Sequence, residues 1–221
     1  MKINFFRADI ESTLDMLRSY QHDMDGQLAK IQKEESDRIE AVLARIEDEG
    51  ERDMYLASAS DEYHYTHEVM FPRSHRYSFI VLLFLNLEDI LIRFCEYIKE
   101  RDKHELRVTH FKGDIVERSK LYLHEYAKIP EISQQIWDSI EDLSKIRNFI
   151  VHTLGQVELS RDKQHLQELA NMERGILIGD VDLDRGRLVL EPVFCERAVS
   201  DISTLLKELF DKAGFPPAIR F

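Results

Sequence analysis

Apolar residues recur at three- and four-residue intervals along most of this chain, the spacing that lines one face of an α-helix. Leu14, Leu17, Met24, Leu28, Ile31, Ile39, Val42, Leu43 and Ile46 mark such a face across residues 3–50. The pattern predicts one very long helix or a helical hairpin, with Gly26 a candidate break and Gly50 a candidate stop. Residues 56–75 have no clear period and end in Phe71-Pro72-Arg73, so they are expected to be mainly loop. Further helices are predicted over residues 74–101, 113–128, 131–154 and 161–172, with Pro130 and Gly155 as punctuation. In residues 175–190 two short apolar runs flank Asp-Arg-Gly, the pattern of a β-hairpin. A last helix is expected over residues 195–213, followed by coil at Gly214-Phe-Pro-Pro. The fold class is therefore all-α, with a small C-terminal β-hairpin. A long N-terminal helical segment (1–55) precedes a helical domain (74–212). With no repeat, low-complexity tract or linker between them, the two are expected to form one integrated domain.

Composition narrows the function classes. The 221 residues are 43% hydrophobic and 33% charged, enough to bury a core without cross-links. A formal net charge of −12 disfavours general affinity for nucleic acid, so any RNA or DNA contact must use a local basic patch. The longest apolar run, residues 79–85, is far short of the roughly 18–20 residues a membrane span requires. It reads as the most buried helix of the fold. No signal-peptide pattern opens the sequence. Cys95 and Cys195 lie in apolar helical contexts. They read as buried free thiols of a reducing cytoplasm, with a disulfide between them as the alternative.

The informative chemistry is in residues 136–154. On a helical wheel, Ile136, Ile140, Leu143, Ile146, Ile150 and Leu154 form an apolar stripe. Glu141, Ser144, Lys145, Asn148 and His152 form a polar one, and Asn148 and His152 are i,i+4 neighbours. Arg147 breaks the pattern. It falls within the apolar stripe, about 140° round from His152. In the helix over 74–101, Asn86, Asp89 and Arg93 make a solvent stripe, while Glu88 sits opposite among Val81, Phe84, Leu91, Ile92 and Cys95. An unpaired buried charge is very costly. Either Glu88 and Arg147 approach one another, or each snorkels separately to water.

At Arg147-Asn-Phe-Ile-Val-His152 the sequence resembles the R-x4-H motif of HEPN-domain proteins, in the form R-N-x-x-V-H. Residues 78–95, with Leu87-Glu88 and Phe94-Cys95, resemble the preceding HEPN helix, and the hairpin and final helix resemble a frequent extension. The likeness covers about residues 74–212. It implies an antiparallel helical bundle that dimerises so that two motifs meet in one cleft. It also implies a metal-independent endoribonuclease of toxin–antitoxin, abortive-infection or phage-defence type, needing no cofactor. Carried over, Arg147 and His152 are catalytic, Asn148 is a polar helper and Glu88 orients the arginine. The implied partners are an RNA substrate (tRNA or mRNA), a second copy of the chain, and an antitoxin or regulatory protein. Where some members carry Tyr two residues after the histidine, this chain has Leu154, which counts against silencing by tyrosine modification. The other reading is a non-catalytic HEPN protein that binds nucleotide, RNA or a protein.

The chemistry agrees with the resemblance. Cleavage through the 2′-hydroxyl needs a base in histidine's titration range and a cation for the phosphate, which arginine meets bidentately. A leaving-group acid is also required, and a dimer mate would supply it. The alternative is that His152 merely favours a helix C-terminus as a cation. Arg73, Arg76 and Lys145 are candidate RNA contacts, and residues 99–112 form the most basic stretch. Ser144, Asn148 and Gly155 would let two motif helices approach, with Trp137 as an interface anchor. Asp180-x-Asp182-x-Asp184 with Glu191 has EF-hand spacing, but its sixth position is Arg185 rather than glycine. His64-x-x-His67 lacks a third ligand nearby. No metal site is expected.

Overall fold

The computed structural model of the chain describes residues 5–172, 175–179 and 185–216. It is mostly helical, with one small antiparallel hairpin near the C-terminus. Helix α1 (Phe5–Leu43) is continuous, so Gly26 does not break it and the long-helix alternative holds. The break falls at residues 44–48, before Gly50, which lies inside the first turn of α2 (Glu49–Tyr63). Asp48 starts that helix by accepting a 2.8 Å hydrogen bond from the Glu51 amide.

The expectation of a loop over residues 56–75 is wrong. The segment passes from α2 through a π-helical turn (His64–Met70) into α3 (Phe71–Asp102). A proline inside a helix removes one hydrogen bond and crowds the carbonyl four residues back. Here the wider turn, with the Phe71 amide bonded to the Thr66 carbonyl, comes immediately before Pro72. The extra residue per turn also shifts the apolar period, which is why no 3.6-residue pattern is visible there.

Helix α4 (Ile115–Leu121) opens with a capping box between Asp114 and Glu117 and continues into a second π turn, Tyr122–Tyr126. Then come α5 (Gln134–Thr153), α6 (Lys163–Asn171), strands β1 (Ile176–Ile178) and β2 (Leu188–Leu190), and α7 (Pro192–Lys212). The strands pair Ile176 with Leu190 and Ile178 with Leu188. The aspartates of the EF-hand-like spacing lie outside the described residues. No described helix is long and apolar enough to cross a membrane. Both cysteines are buried and neither is in a disulfide, which removes the disulfide alternative.

The chain divides into two compact units. The first is formed by the described parts of Met1–Arg18, Ile80–His152 and Glu196–Phe221. Its core includes Leu83, Leu87, Phe94, Trp137, Ile140, Ile202 and Leu209, all at most 1% exposed. The second is formed by the described parts of Ser19–Phe79 and Thr153–Cys195. It packs Tyr77, Phe79, Val157, Leu166, Ile176, Leu188 and Leu190.

Candidate functional site

Helix α5 carries the motif, and seven of its residues are buried: Trp137, Ile140, Leu143, Ser144, Ile146, Phe149 and Ile150. Their spacing fixes the rotation of the helix, so the orientations of residues 147, 148 and 152 follow from packing rather than from local preference. The stop is abrupt. Leu154 and Gly155 both take positive φ, 49° and 81°. Leucine pays about 1–2 kcal/mol for that conformation, so its surroundings must hold it there. They do so through three bonds in the second unit. Arg187 donates to the Leu154 carbonyl at 2.7 Å, the Leu188 amide donates to the Gly155 carbonyl at 2.8 Å, and the Tyr77 hydroxyl donates to the Leu188 carbonyl. A Cβ on Gly155 would lie 1.9 Å from the Tyr77 oxygen, so only glycine fits.

Within the first unit, Arg147 and Glu88 meet. Arg147 Nη2 lies 2.7 Å from Glu88 Oε2, and Nη1 donates to Asn148 Oδ1 at 2.8 Å. The guanidinium carbon sits 4.6 Å from the centre of the Phe84 ring. Of the two arrangements open in the sequence, pairing is the one adopted. The pair is not deeply buried, however: the side chains of Arg147 and Glu88 keep 20% and 26% of their exposure. Its strength is therefore that of a shielded, charge-assisted contact rather than of a dry ion pair. Arg147 Nε is buried with no hydrogen-bond partner among the described residues.

Around this pair the helix faces stay apolar. Leu85 and Ile92 flank Glu88 by helical spacing on α3, and Val151 follows Arg147 on α5; all three are exposed. His152 is exposed too, with no hydrogen bond or ion pair among the described residues. The result is a clamped guanidinium, a carboxamide bonded to it, and an open imidazole one turn beyond that carboxamide.

Three expectations about this surface are corrected. Trp137 is 1% exposed and belongs to the core, where its ring meets His124 edge-on and Lys120 lies over it. It cannot anchor an interface. Ser144 is buried rather than on an open polar stripe, and Gly155 is filled against Tyr77, so neither makes room for a second helix. Leu154, assigned to the apolar stripe, is exposed because the helix has already ended.

Among the candidate RNA contacts, Lys145 is exposed on α5, 3.9 Å from Asp142. Arg73 and Arg76 belong to the second unit. There Arg76 donates to the Leu190 carbonyl at 2.9 Å and faces Asp25 at 3.7 Å, which gives it a structural task. In the basic stretch, Arg101 is bonded to Asp102 and to the Ala213 carbonyl, and Arg107 lies near Glu96. No group of three or more His, Cys, Asp or Glu side chains among the described residues is arranged to hold a metal ion. His64 instead pairs with Glu68 at 2.7 Å.

Two features escaped the sequence reading. The sequence puts Phe84 on the face of Glu88, one turn before it, and packing brings its ring beneath the guanidinium. Arg7, 5% exposed, bonds Glu11 and Asp211, each at 2.8 Å, and of these the sequence shows only the i,i+4 relation to Glu11. No family model, no curated protein and no solved structure matches the chain.

Proposed function

We propose that this chain is a metal-independent endoribonuclease of HEPN type, a toxin or defence effector that works as a homodimer in the cytoplasm. The observation that carries the reading is the clamped guanidinium of Arg147 on the same helix as His152, which is exposed and has no hydrogen-bond or ion-pair partner among the described residues. Glu88, Asn148 and Phe84 hold the arginine before any substrate arrives, which lowers the ordering cost at the moment of reaction. His152 takes the proton of a ribose 2′-hydroxyl, and that oxygen attacks the adjacent phosphorus. The 5′-oxygen then leaves, protonated by a second imidazole. The products are a 2′,3′-cyclic phosphate and a 5′-hydroxyl.

One helix offers one such histidine, and Arg147 and His152 diverge by about 140°. A two-fold axis beside α5 supplies the missing acid from a second copy. The exposed Leu85, Ile92 and Val151 around the pair favour burial of this face in such a dimer. A cognate antitoxin or regulatory protein fits the same reading. A second reading, a non-catalytic protein of the same type that binds nucleotide, RNA or protein, is favoured by one fact: two of the arginine's nitrogens already have partners.

The deciding experiment incubates the purified chain with total RNA and with tRNA, in EDTA, beside His152→Ala. Cleavage by the wild type, lost in the variant with melting unchanged, is the expected result. Activity retained in the variant would sink the catalytic assignment, and rescue of EDTA-treated protein by magnesium would sink the metal-independent mechanism. A fully active monomer by sedimentation would overturn the dimer.

A further inference from the structure

The second unit contains a helical hairpin that is unlike the rest of the chain. In α2 no residue is buried, and beyond Gln21 the described remainder of α1 has none either. A 15-residue helix alone in water is marginal, so α2 relies on the contacts it makes. Those contacts are thin: Tyr55, Ala59 and Tyr63 are only half-buried, and Tyr63 reaches the Gln32 carbonyl of α1. Met54, Leu56 and Ile31 remain exposed. Residues 19–63 also hold thirteen Asp and Glu against five Lys and Arg, so about a fifth of the chain carries most of its negative excess.

Where α1, α2 and the π turn meet lies a groove of about 340 Å³. Its walls include Glu35, Glu62, Tyr55 and Tyr63, with Ile39 and Ala59 as the apolar part. Arg38, which lines the groove, pairs with Glu35 and attracts Glu62 only at longer range, so Glu62 makes no ion pair within 4 Å among the described residues. His67 Nδ1, from the same wall, is buried without a hydrogen-bond partner among the described residues. Two tyrosine rings and a carboxylate outside any close ion pair suit an extended cationic side chain, which is attracted by the aromatic faces as well as by the charge.

We propose that this hairpin is a docking surface for a basic amphipathic helix of a partner protein, with one Lys or Arg of that helix entering the groove beside Glu62. Charge complementarity selects this occupant. A second copy of the hairpin would bring two strongly acidic surfaces together, and nucleic acid or an anionic membrane would be repelled. A basic helix instead supplies the apolar face that α2 lacks, together with cations for carboxylates that make no ion pair among the described residues. The proposal is independent of the ribonuclease reading.

The test uses the full chain and two labelled synthetic peptides. Both are 20-residue helices with the same leucine face, one with Lys and Arg on its flanks and the other with Glu. Fluorescence anisotropy at two salt concentrations reads the affinity. The expected result is saturable binding of the basic peptide alone, weakening as salt rises. Tyr55→Ser, which leaves the charge unchanged, and Glu62→Gln should each weaken it about five- to tenfold, while Glu100→Gln in the other unit changes it less than about twofold. Circular dichroism of each variant checks that the helices persist; if Tyr55→Ser lowers the helical signal, Glu62→Gln decides. Equal loss in Glu62→Gln and Glu100→Gln would reduce the effect to bulk charge and overturn the site. So would equal binding of both peptides, absence of binding, or self-association of the chain that Glu62→Gln strengthens.

Discussion

Helices α5 and α2 both carry a functional reading, yet they are held by opposite means. Seven buried residues of α5 lock its rotation, and Arg147 can be presented on an otherwise apolar face because Glu88 and Phe84 are fixed opposite it. α2 buries nothing, and its register rests on a few half-buried contacts and an aspartate cap. The contrast matches the tasks proposed for them. Positioning a cation for phosphate chemistry needs a rigid support, whereas accepting a partner helix needs a surface whose burial is still incomplete.

The comparison is sharpest in the core. Trp137→Ala should cost about 3–5 kcal/mol, read by urea unfolding, because it empties a fully enclosed volume under α5. A loss below about 1 kcal/mol would mean that α5 is no better anchored than α2.

Next in size is the ion pair. Glu88→Ala should cost about 1–3 kcal/mol, the range for losing a hydrogen bond to a charged group in a shielded but not dry setting. The double variant Glu88→Ala, Arg147→Met should recover part of that loss, since it removes the stranded charge. Strict additivity in the cycle would show that the two side chains do not interact in solution.

A smaller effect is expected at the base of the hairpin. His75 of α3 lies against the rings of Tyr20 and Phe79. Burial lowers its pKa below the ordinary value, against an upward pull from Asp25. The folded state therefore binds this proton less readily than the unfolded state. The stabilising contribution is complete above the ordinary histidine pKa and is lost as pH falls below it toward the folded value. His75→Gln should flatten the stability profile across that acidic window. An unchanged profile would show that another group carries the dependence.

The smallest expected effect is Met54→Ala on α2, within about 0.5 kcal/mol of wild type by the same unfolding assay. A cost near that of Trp137→Ala would show that the hairpin is packed in solution, and would remove the reason to expect a partner there.

Much of this molecule was legible as periodicity. The helical character of the first segment, the span of α3 beyond Ser74, the rotation of α5 and the hairpin between Ile176 and Leu190 all follow from where apolar residues recur, whereas the continuity of α1 through Gly26 does not. The same arithmetic marked Glu88 and Arg147 as charges out of place. It failed over residues 56–75 because a π turn adds a residue to the repeat just before Pro72. It failed again at Trp137, Ser144 and Gly155, which a wheel places near a polar or approachable face. A wheel ranks directions on one helix and does not know what fills them. Whether a direction meets solvent, the ring of Tyr77 or the core of the first unit depends on elements far away in sequence. Local sequence thus determined which residues share a face, because helical geometry is set by the backbone. Tertiary packing alone decided which faces were open, because burial is a property of what arrives opposite.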